Sequence, residues 1–241
     1  MIGAQKYEDL LKKKKKLIFI DVRSPVEYEE AHIPDAVNIP VFDNAERELI
    51  GTLYKKEGKR EAIREALKII GPKIYDIYLE FEKNCEKDHK IVVYCARGGM
   101  RSSTITALLK EFSLPLVKLE GGYKGYRQYL NETLPVLIKN FQFITLYGKT
   151  GSGKTNLLKK LEELGYDILD LEACANNRGS LLGGIGLGAR HSQKYFESLV
   201  FESLAKAKGS IILTEGESRR IGNSVMPDFL YNGLINSRKI Y

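Results

Sequence analysis

The segment IVVYCARGGMRS, residues 91–102, joins an apolar run directly to a glycine-rich loop. Its first four residues are β-branched or aromatic, which is typical of a strand buried on both faces. The predicted strand ends at Cys95, and Gly98 and Gly99 lie in the loop that follows. Residues 102–112 have the spacing of a helix that Pro115 stops. A buried strand that passes through a loop into a helix is the building unit of an α/β fold.

The same alternation continues on both sides of this segment. Apolar strands are predicted at residues 17–20 and 117–119, and helices at 25–31, 60–70 and 74–86. Strands that alternate with helices in this way favour a parallel sheet.

A second series begins after Leu134-Pro135, which we expect to interrupt the helical pattern. The predicted strands of this series are residues 143–147, 167–170 and 211–214, and the predicted helices are 156–164 and 193–207. The sequence therefore predicts two α/β domains, at residues 1–134 and 138–241.

Composition excludes several classes of protein. The chain has 241 residues, 43% hydrophobic and 29% charged, which is within the range of folded globular domains. No apolar run approaches the ~20 residues of a membrane-spanning helix, and three cysteines form no disulfide framework. We expect a cytoplasmic protein with no membrane association. The net charge of +7, spread over both halves, favours a polyanionic partner.

The loop after residue 94 has the features of a nucleophilic site. Cys95 would end a buried strand, two glycines allow successive N–H groups to converge on one atom, and a helix begins just beyond. Arg97 and Arg101 add formal positive charge, so the setting favours a thiolate and a cradle for an oxyanion. The alternative is an inert thiol at a strand end, but such thiols rarely precede a glycine- and arginine-rich loop at a helix start.

The motif GKTGSGKT, residues 148–155, fits the phosphate-binding pattern GxxxxGK[ST] between a predicted strand and a predicted helix. Its phosphate-binding residues are expected to be Gly148, Gly151, Ser152, Gly153, Lys154 and Thr155. Lys154 would meet the outer phosphates, and Thr155 would offer its hydroxyl to Mg²⁺. Glu215, at the end of a predicted strand, is a candidate second ligand of that ion. The motif does not identify the molecule that carries the phosphates.

The first domain resembles the rhodanese family. The residues that carry the resemblance are IDVRSPVEY (20–28), AHIPDAVNIP (31–40), the loop 95–101 and EGGY (120–123). In this setting Asp21 and Arg23 are expected to form a structural pair beside the loop, and His32 to position a turn. Five residues separate Cys95 from Arg101, one more than in common sulfurtransferases. The longer loop is shared with rhodanese-like phosphatases and with one tRNA-modifying family, so both chalcogen transfer and phosphate ester hydrolysis stay open.

The order of the two domains narrows the resemblance to the tRNA 2-selenouridine synthase family. Its second-domain signatures are similar to NRGS (177–180), SQ (192–193) and ESRRIG (217–222), which contain Arg178 and Arg219. The resemblance implies replacement of sulfur by selenium in wobble 2-thiouridine of tRNA. Selenophosphate is then the donor, and geranyl diphosphate forms an S-geranylated intermediate.

By the same resemblance, Cys95 is the selenium-carrying nucleophile, Arg97 and Arg101 hold the oxyanion, and residues 148–155 bind the diphosphate. Selenophosphate and geranyl diphosphate are co-substrates, Mg²⁺ is a candidate ion, and no tightly bound cofactor is expected. The second domain is short for this family, so we expect it to be incomplete, with a partner chain as one source of the remainder.

Three alternatives stay open at this point. The first is a rhodanese-type sulfurtransferase. The second is a phosphatase with a regulatory nucleotide site, for which Asp43 or Asp88 would be the general acid. The third is a nucleotide-regulated RNA-binding module, which the charge and the phosphate loop alone would support.

Overall fold

The computed structural model describes residues 4–12, 16–85, 89–149, 152–177 and 190–241. The chain divides into two compact units, residues 1–129 and 130–241. Each unit is built around its own parallel sheet, so the α/β class predicted from the alternating pattern is confirmed. Among the described residues, no helix is long and apolar enough to cross a membrane.

Over the described residues, the sheet of the first unit has five parallel strands in the order β1-β5-β4-β2-β3. These strands are β1 (Ala4–Gln5), β2 (Lys16–Asp21), β3 (Val37–Asn38), β4 (His89–Tyr94) and β5 (Leu116–Leu119). The central strand β4 is buried over its last four residues, as its unbroken apolar run predicts. Its carboxyl end opens directly into the cysteine loop.

Helices follow one another through the described part of the first unit and into the second. They are α1 (Tyr7–Leu11), α2 (Pro25–Glu30), α3 (Asn44–Lys56), α4 (Lys59–Ile70), α5 (Ile74–Lys83), α6 (Met100–Glu111) and α7 (Gly122–Leu137). Single 3₁₀ turns occupy residues 71–73 and 138–140. The predicted helices at 25–31, 60–70, 74–86 and 102–112 are therefore present, with ends that differ by up to three residues.

Helix α7 contradicts the interruption that we expected at Leu134-Pro135, because the helix includes Pro135 and continues to Leu137. A proline inside a helix removes one hydrogen bond and crowds the preceding turn. Here the buried side chains of Leu130 and Leu134 hold the same helix face against a core, and this packing outweighs the local cost.

The sheet of the second unit has four parallel strands within the part of the chain that the structure describes, in the order β11-β6-β8-β7. These strands are β6 (Gln142–Leu146), β7 (Ile168–Leu169), β8 (Ile211–Glu215) and β11 (Arg238–Ile240), and a separate antiparallel hairpin pairs β9 (Arg220–Ile221) with β10 (Ser224–Val225). The helices are α8 (Lys154–Glu163), α9 (Leu171–Ala175), α10 (Gln193–Lys206) and α11 (Asp228–Ile235). In the register of β6 and β8, Leu146 is opposite Glu215. The acid at the end of β8 therefore lies at the sheet edge from which the phosphate loop leaves.

Candidate active sites

The cysteine loop begins at the carboxyl end of β4, where Cys95 is only 3% exposed. Its Sγ lies 3.2 Å from the Oγ of Ser102, a residue in the first turn of α6. A hydroxyl at this distance can donate to a thiolate, and the start of a helix adds positive potential. The thiol therefore has a hydrogen-bonding partner that the sequence pattern did not single out.

Glycines hold the loop in its shape. Gly98 and Gly122 both have positive φ, +62° and +58°, which L side chains rarely adopt. The backbone N–H of Tyr123 donates to the carbonyl of Cys95 at 2.9 Å. A Cβ on Gly122 would lie 2.1 Å from that same carbonyl oxygen. The glycine of the EGGY motif at position 122 is therefore required by the structure, because only glycine lets the start of α7 approach the cysteine loop this closely.

Arg101, expected to hold an oxyanion, is bound by a carboxylate in this structure. Its Nη1 donates to Glu27 Oε2 at 2.6 Å and its Nη2 to Glu27 Oε1 at 3.2 Å. Burial alone would raise the pKa of Glu27, but the hydrogen bonds and charge of Arg101 lower it to about 2. Both side chains are about one fifth exposed. The pair fixes the guanidinium beside the loop and neutralises its charge.

Arg97 has a different setting from Arg101. It is exposed, and within the described residues no carboxylate forms an ion pair with it. Of the two arginines predicted at the cradle, Arg97 is therefore the one whose charge is not already matched by an acid in the described part of the chain.

The predicted structural pair of Asp21 and Arg23 is present and buried. Arg23 Nε donates to both carboxylate oxygens of Asp21, at 3.0 and 2.9 Å, and its Nη2 donates to the carbonyl of Ala31 at 2.7 Å. The Arg23 guanidinium also lies 4.4 Å from the ring centroid of Tyr123. Burial would lower the pKa of Arg23, but Asp21 raises it, so the cation is kept. His32 Nδ1 lies 2.9 Å from the carbonyl of Tyr28, consistent with a turn-positioning role.

The phosphate loop joins β6 to α8. Gly153 adopts a left-handed conformation, φ +85°, at the N-cap of α8, and the N–H of Ser152 donates to the carbonyl of Lys149 at 3.1 Å. The ammonium group of Lys154 donates to the carbonyls of Gly148 and Lys149 at 2.9 and 3.2 Å. The lysine thus lies across its own loop, at the start of a ten-residue helix whose N-terminus favours anions.

Three glutamates gather beside this loop. Thr155 Oγ1 donates to Glu215 Oε2 at 3.3 Å, which brings together the two residues predicted as Mg²⁺ ligands. Glu172 of α9 and Glu217 complete a group whose ligand oxygens all lie within 4.8 Å of one another. Burial, then the charges of Glu215, Glu217 and Asp170, raise the pKa of Glu172 to about 7. Neither Glu172 nor Glu217 was predicted as a ligand. Glu217 begins the ESRRIG segment, but nothing in that segment indicates a metal-binding role, and Glu172 lies in no motif.

Other predicted residues lie elsewhere or outside the described residues. Gly151, Arg178 and Asp88 are outside them. Arg219 bonds Asp228 and lies 6.0 Å from the ring centroid of Tyr231. The carboxylate of Asp43 accepts the N–H of Glu46 at 2.8 Å as the N-cap of α3, so its position is explained by helix capping.

Two family models match the chain in the order of its two units. The rhodanese-like domain model matches residues 3–129, and the model described as the tRNA 2-selenouridine synthase AAA domain matches residues 141–241. The matched ranges contain the cysteine loop and the phosphate loop respectively.

Curated relatives agree with both models. The tRNA 2-selenouridine synthase of Nitrosomonas europaea is 33% identical over 227 residues, which cover 92% of this chain and 58% of the relative. That of Shewanella oneidensis is 34% identical over 241 residues, which cover 97% and 61%. The chain thus spans about three fifths of the length of these relatives.

A solved structure supports the fold over about half of the chain. The N-terminal domain of a predicted ATP/GTP-binding protein from Clostridium difficile 630 is 45% identical, with a TM-score of 0.51, and the match covers 53% of this chain and 98% of that domain. Together with the two family models, these likenesses show that the chain belongs to the tRNA 2-selenouridine synthase family, with a rhodanese-like domain at residues 3–129 and that family's AAA domain at residues 141–241.

Proposed function

We propose that this chain takes part in replacing the C2 sulfur of wobble 2-thiouridine in tRNA by selenium. The observation that carries the proposal is the buried Cys95 thiol, 3.2 Å from the Ser102 hydroxyl, in the same chain as a phosphate loop inside the AAA-domain match. The names of the curated relatives support tRNA as the substrate. Selenophosphate as donor and an S-geranylated intermediate are the finer parts of the proposal.

The phosphate loop is assigned to geranyl diphosphate. In this step the thiouridine sulfur attacks C1 of the geranyl group, the C–O bond to the diphosphate breaks, and diphosphate leaves. Lys154 and the start of α8 would neutralise the charge that develops on the leaving group. Thr155 and Glu215 would hold Mg²⁺ next to the diphosphate. The buried Glu215 Oε1 has no hydrogen-bond partner among the described residues, so it is a suitable ligand atom.

The cysteine loop is assigned to selenophosphate. Selenium in this donor already has the electrons of a selenide, so release as hydrogen selenide needs no oxidant. A bond between the Cys95 sulfur and this selenium would need a two-electron oxidant, so the selenium-carrying role expected from the family resemblance is replaced here by attack on phosphorus. The Cys95 thiolate attacks phosphorus, an S–P bond forms, the Se–P bond breaks, and the leaving selenide takes a proton. Arg97 and Arg101 would stabilise the phosphoryl oxygens. Water then hydrolyses the S–P bond, which gives phosphate and the free thiol.

The two steps combine into a balanced exchange. Geranylation turns the C2 sulfur into a thiol leaving group, and hydrogen selenide adds to C2 and expels geranyl thiol. One 2-thiouridine, one geranyl diphosphate, one selenophosphate and one water give 2-selenouridine, geranyl thiol, diphosphate and phosphate. Each domain would thus handle one phosphorus-containing reactant, which accounts for the two predicted anion sites.

Nucleoside mass spectrometry tests this division of labour. Purified chain is incubated with 2-thiouridine tRNA, geranyl diphosphate, selenophosphate and Mg²⁺. We expect Cys95→Ser to accumulate S-geranyl-2-thiouridine with no 2-selenouridine, and Lys154→Ala to give neither product. Ser113→Ala, a surface change on the helix α6 side of the same unit, is the matched control and should behave as the parent.

The outcomes separate the alternatives. Selenation that survives Cys95→Ser would overturn the role of the thiol. If the parent chain forms neither product but hydrolyses phosphate esters in a Cys95-dependent way, the phosphatase alternative is favoured. Geranylation that survives Lys154→Ala would overturn the assignment of diphosphate binding to the phosphate loop.

A further inference from the structure

Three glutamates from two separate parts of the second unit meet at one point. Glu172 belongs to the short helix α9, Glu215 is the last residue of β8, and Glu217 follows it by two positions. One carboxylate oxygen from each lies within 4.8 Å of those from the other two. We refer to these three residues as the glutamate cluster.

The burial of the glutamate cluster makes it unusual. Glu215 is only 2% exposed, and Glu172 and Glu217 are half-buried. Glu215 Oε2 accepts the Thr155 hydroxyl at 3.3 Å, but Oε1 is buried with no hydrogen-bond partner among the described residues. A buried charged oxygen without a partner is costly, so natural structures seldom keep one that has no ligand to meet.

Among the described residues, negative groups outnumber positive ones around the glutamate cluster. The carboxylate of Asp170 adds a fourth negative charge, while Lys154 is the positive group among the described residues that acts on all three glutamates. Four carboxylates thus lie near one ammonium group, so a bound cation would relieve the repulsion between them.

We propose that the glutamate cluster and the Thr155 hydroxyl form a divalent-cation site that binds its ion in the absence of any phosphate ligand. Hard cations such as Mg²⁺ and Mn²⁺ prefer carboxylate and hydroxyl oxygens. Opposite ligand oxygens lie about 4.2 Å apart around Mg²⁺ and about 4.8 Å apart around Ca²⁺, twice the metal–oxygen distances. The cluster oxygens all lie within 4.8 Å of one another, which matches the larger span, and any pair wider than about 4.2 Å would have to move closer to bind Mg²⁺.

Independence from phosphate is what distinguishes this site from a site made by Thr155 and Glu215 alone. Mg²⁺ held by one or two carboxylates usually relies on substrate phosphates for further ligands. Glu172 and Glu217 supply those further ligands from the protein. The site would then be loaded before a phosphate-bearing reactant arrives, and the bound ion would help to attract that reactant.

Titration of the full chain with Mn²⁺, with no phosphate or tRNA present, tests the proposal. Electron paramagnetic resonance measures free Mn²⁺, and Mg²⁺ is then added as a competitor. We expect one Mn²⁺ per chain, displaced by Mg²⁺, and binding weakened about tenfold or more in Glu172→Gln and in Glu217→Gln, because ligand charge sets affinity. Glu162→Gln, an exposed acid on α8 of the same unit, is the matched control and should bind as the parent.

Thermal unfolding with and without Mn²⁺ shows whether the variants are folded. Removal of one like charge should leave the variants at least as stable as the metal-free parent, while the rise in melting temperature that Mn²⁺ causes in the parent should disappear. Binding that requires added diphosphate, or binding unchanged in both glutamine variants, would overturn the proposal. Neither outcome depends on selenium or tRNA chemistry, so this test and that of the proposed function fail separately.

Discussion

Replacement of Glu27 by Gln should destabilise the first unit in a way that depends on pH. Glu27 binds Arg101 with both carboxylate oxygens, at 2.6 and 3.2 Å. Its Oε2 also accepts the N–H and the hydroxyl of Ser24, each at 3.2 Å, in the capping box of α2. Glutamine keeps the shape of the side chain but removes the charge and offers only one acceptor oxygen.

The lowered pKa gives the size of the effect. Burial opposes the shift, but Arg101 lowers the pKa of Glu27 from 4.5 to about 2. A fall of this size corresponds to about 3 kcal/mol of folding free energy. A carboxylate with a lowered folded pKa stabilises the fold above its unfolded value. The contribution is therefore complete above about pH 5 and is lost as the pH falls from 4.5 towards 2.

Urea denaturation, followed by far-ultraviolet circular dichroism, measures this contribution at several pH values. We expect Glu27→Gln to lower the free energy of unfolding by about 2–3 kcal/mol at pH 7, and this deficit to shrink as the pH approaches 3. Glu29→Gln, an exposed change on the same helix α2, is the control. Hydrogen exchange of peptides that cover residues 24–31 and 95–105 assigns the loss to this region.

Two results would refute this reasoning. A deficit below about 0.5 kcal/mol at pH 7 would mean that the pair behaves as an ordinary surface ion pair. An equal deficit at pH 7 and pH 3 would mean that Gln destabilises through shape and not through charge.

Three further changes test other parts of the structure. Gly122→Ala places a Cβ 2.1 Å from the carbonyl oxygen of Cys95 at a φ of +58°, so we expect a loss of roughly 1–3 kcal/mol in thermal unfolding and a displaced cysteine loop in heteronuclear NMR. Asp21→Asn leaves the buried Arg23 without its countercharge, and urea denaturation should show a loss of about 3–5 kcal/mol; a loss under 1 kcal/mol would contradict the structural role. Burial raises the pKa of Cys174 to about 12, so its thiolate fraction at pH 8 is only about 10⁻⁴. Mass spectrometry should find this thiol unmodified by iodoacetamide until the chain unfolds.

The central strands and the two loops were predictable because their signals are local. An apolar run such as residues 91–94 is buried on both faces, and a buried strand of a parallel sheet has few other ways to form. The phosphate loop and the cysteine loop also lie within single short segments, so their residue types and spacing could be recognised without knowledge of the fold.

The elements that were missed have weak or misleading local signals. Strand β11 is exposed at all three residues, so no apolar pattern marks it, and its pairing with β6 decides its conformation. Helix α3 has no buried residue, although Asp43 and Glu46 form a capping box that could have located its start. Helix α7 passes through Pro135, where tertiary packing overrides a local breaker.

The site residues that were missed are those that other segments bring to a motif. Glu27 is 74 positions from Arg101, and Glu172 is 43 positions from Glu215. An acid that pairs across such a distance looks like any surface glutamate in the sequence. Only the parallel sheet, which collects the ends of its strands at one edge, brings these residues together.

In each unit one predicted anion-binding cation already has a partner, and this changes how anion binding must work. Arg101 is bound to Glu27, and Lys154 donates to two carbonyls of its own loop. A phosphate that binds either group has to replace an existing hydrogen bond. The net gain in binding free energy is therefore close to the ~1 kcal/mol of one hydrogen bond exchanged for another, and smaller than that of a new charge-assisted bond. Arg97, exposed and with no ion pair among the described residues, has no such bond to break. The first contact with an oxyanion at the cysteine loop is therefore expected at Arg97, and Arg101 acts mainly through its fixed position.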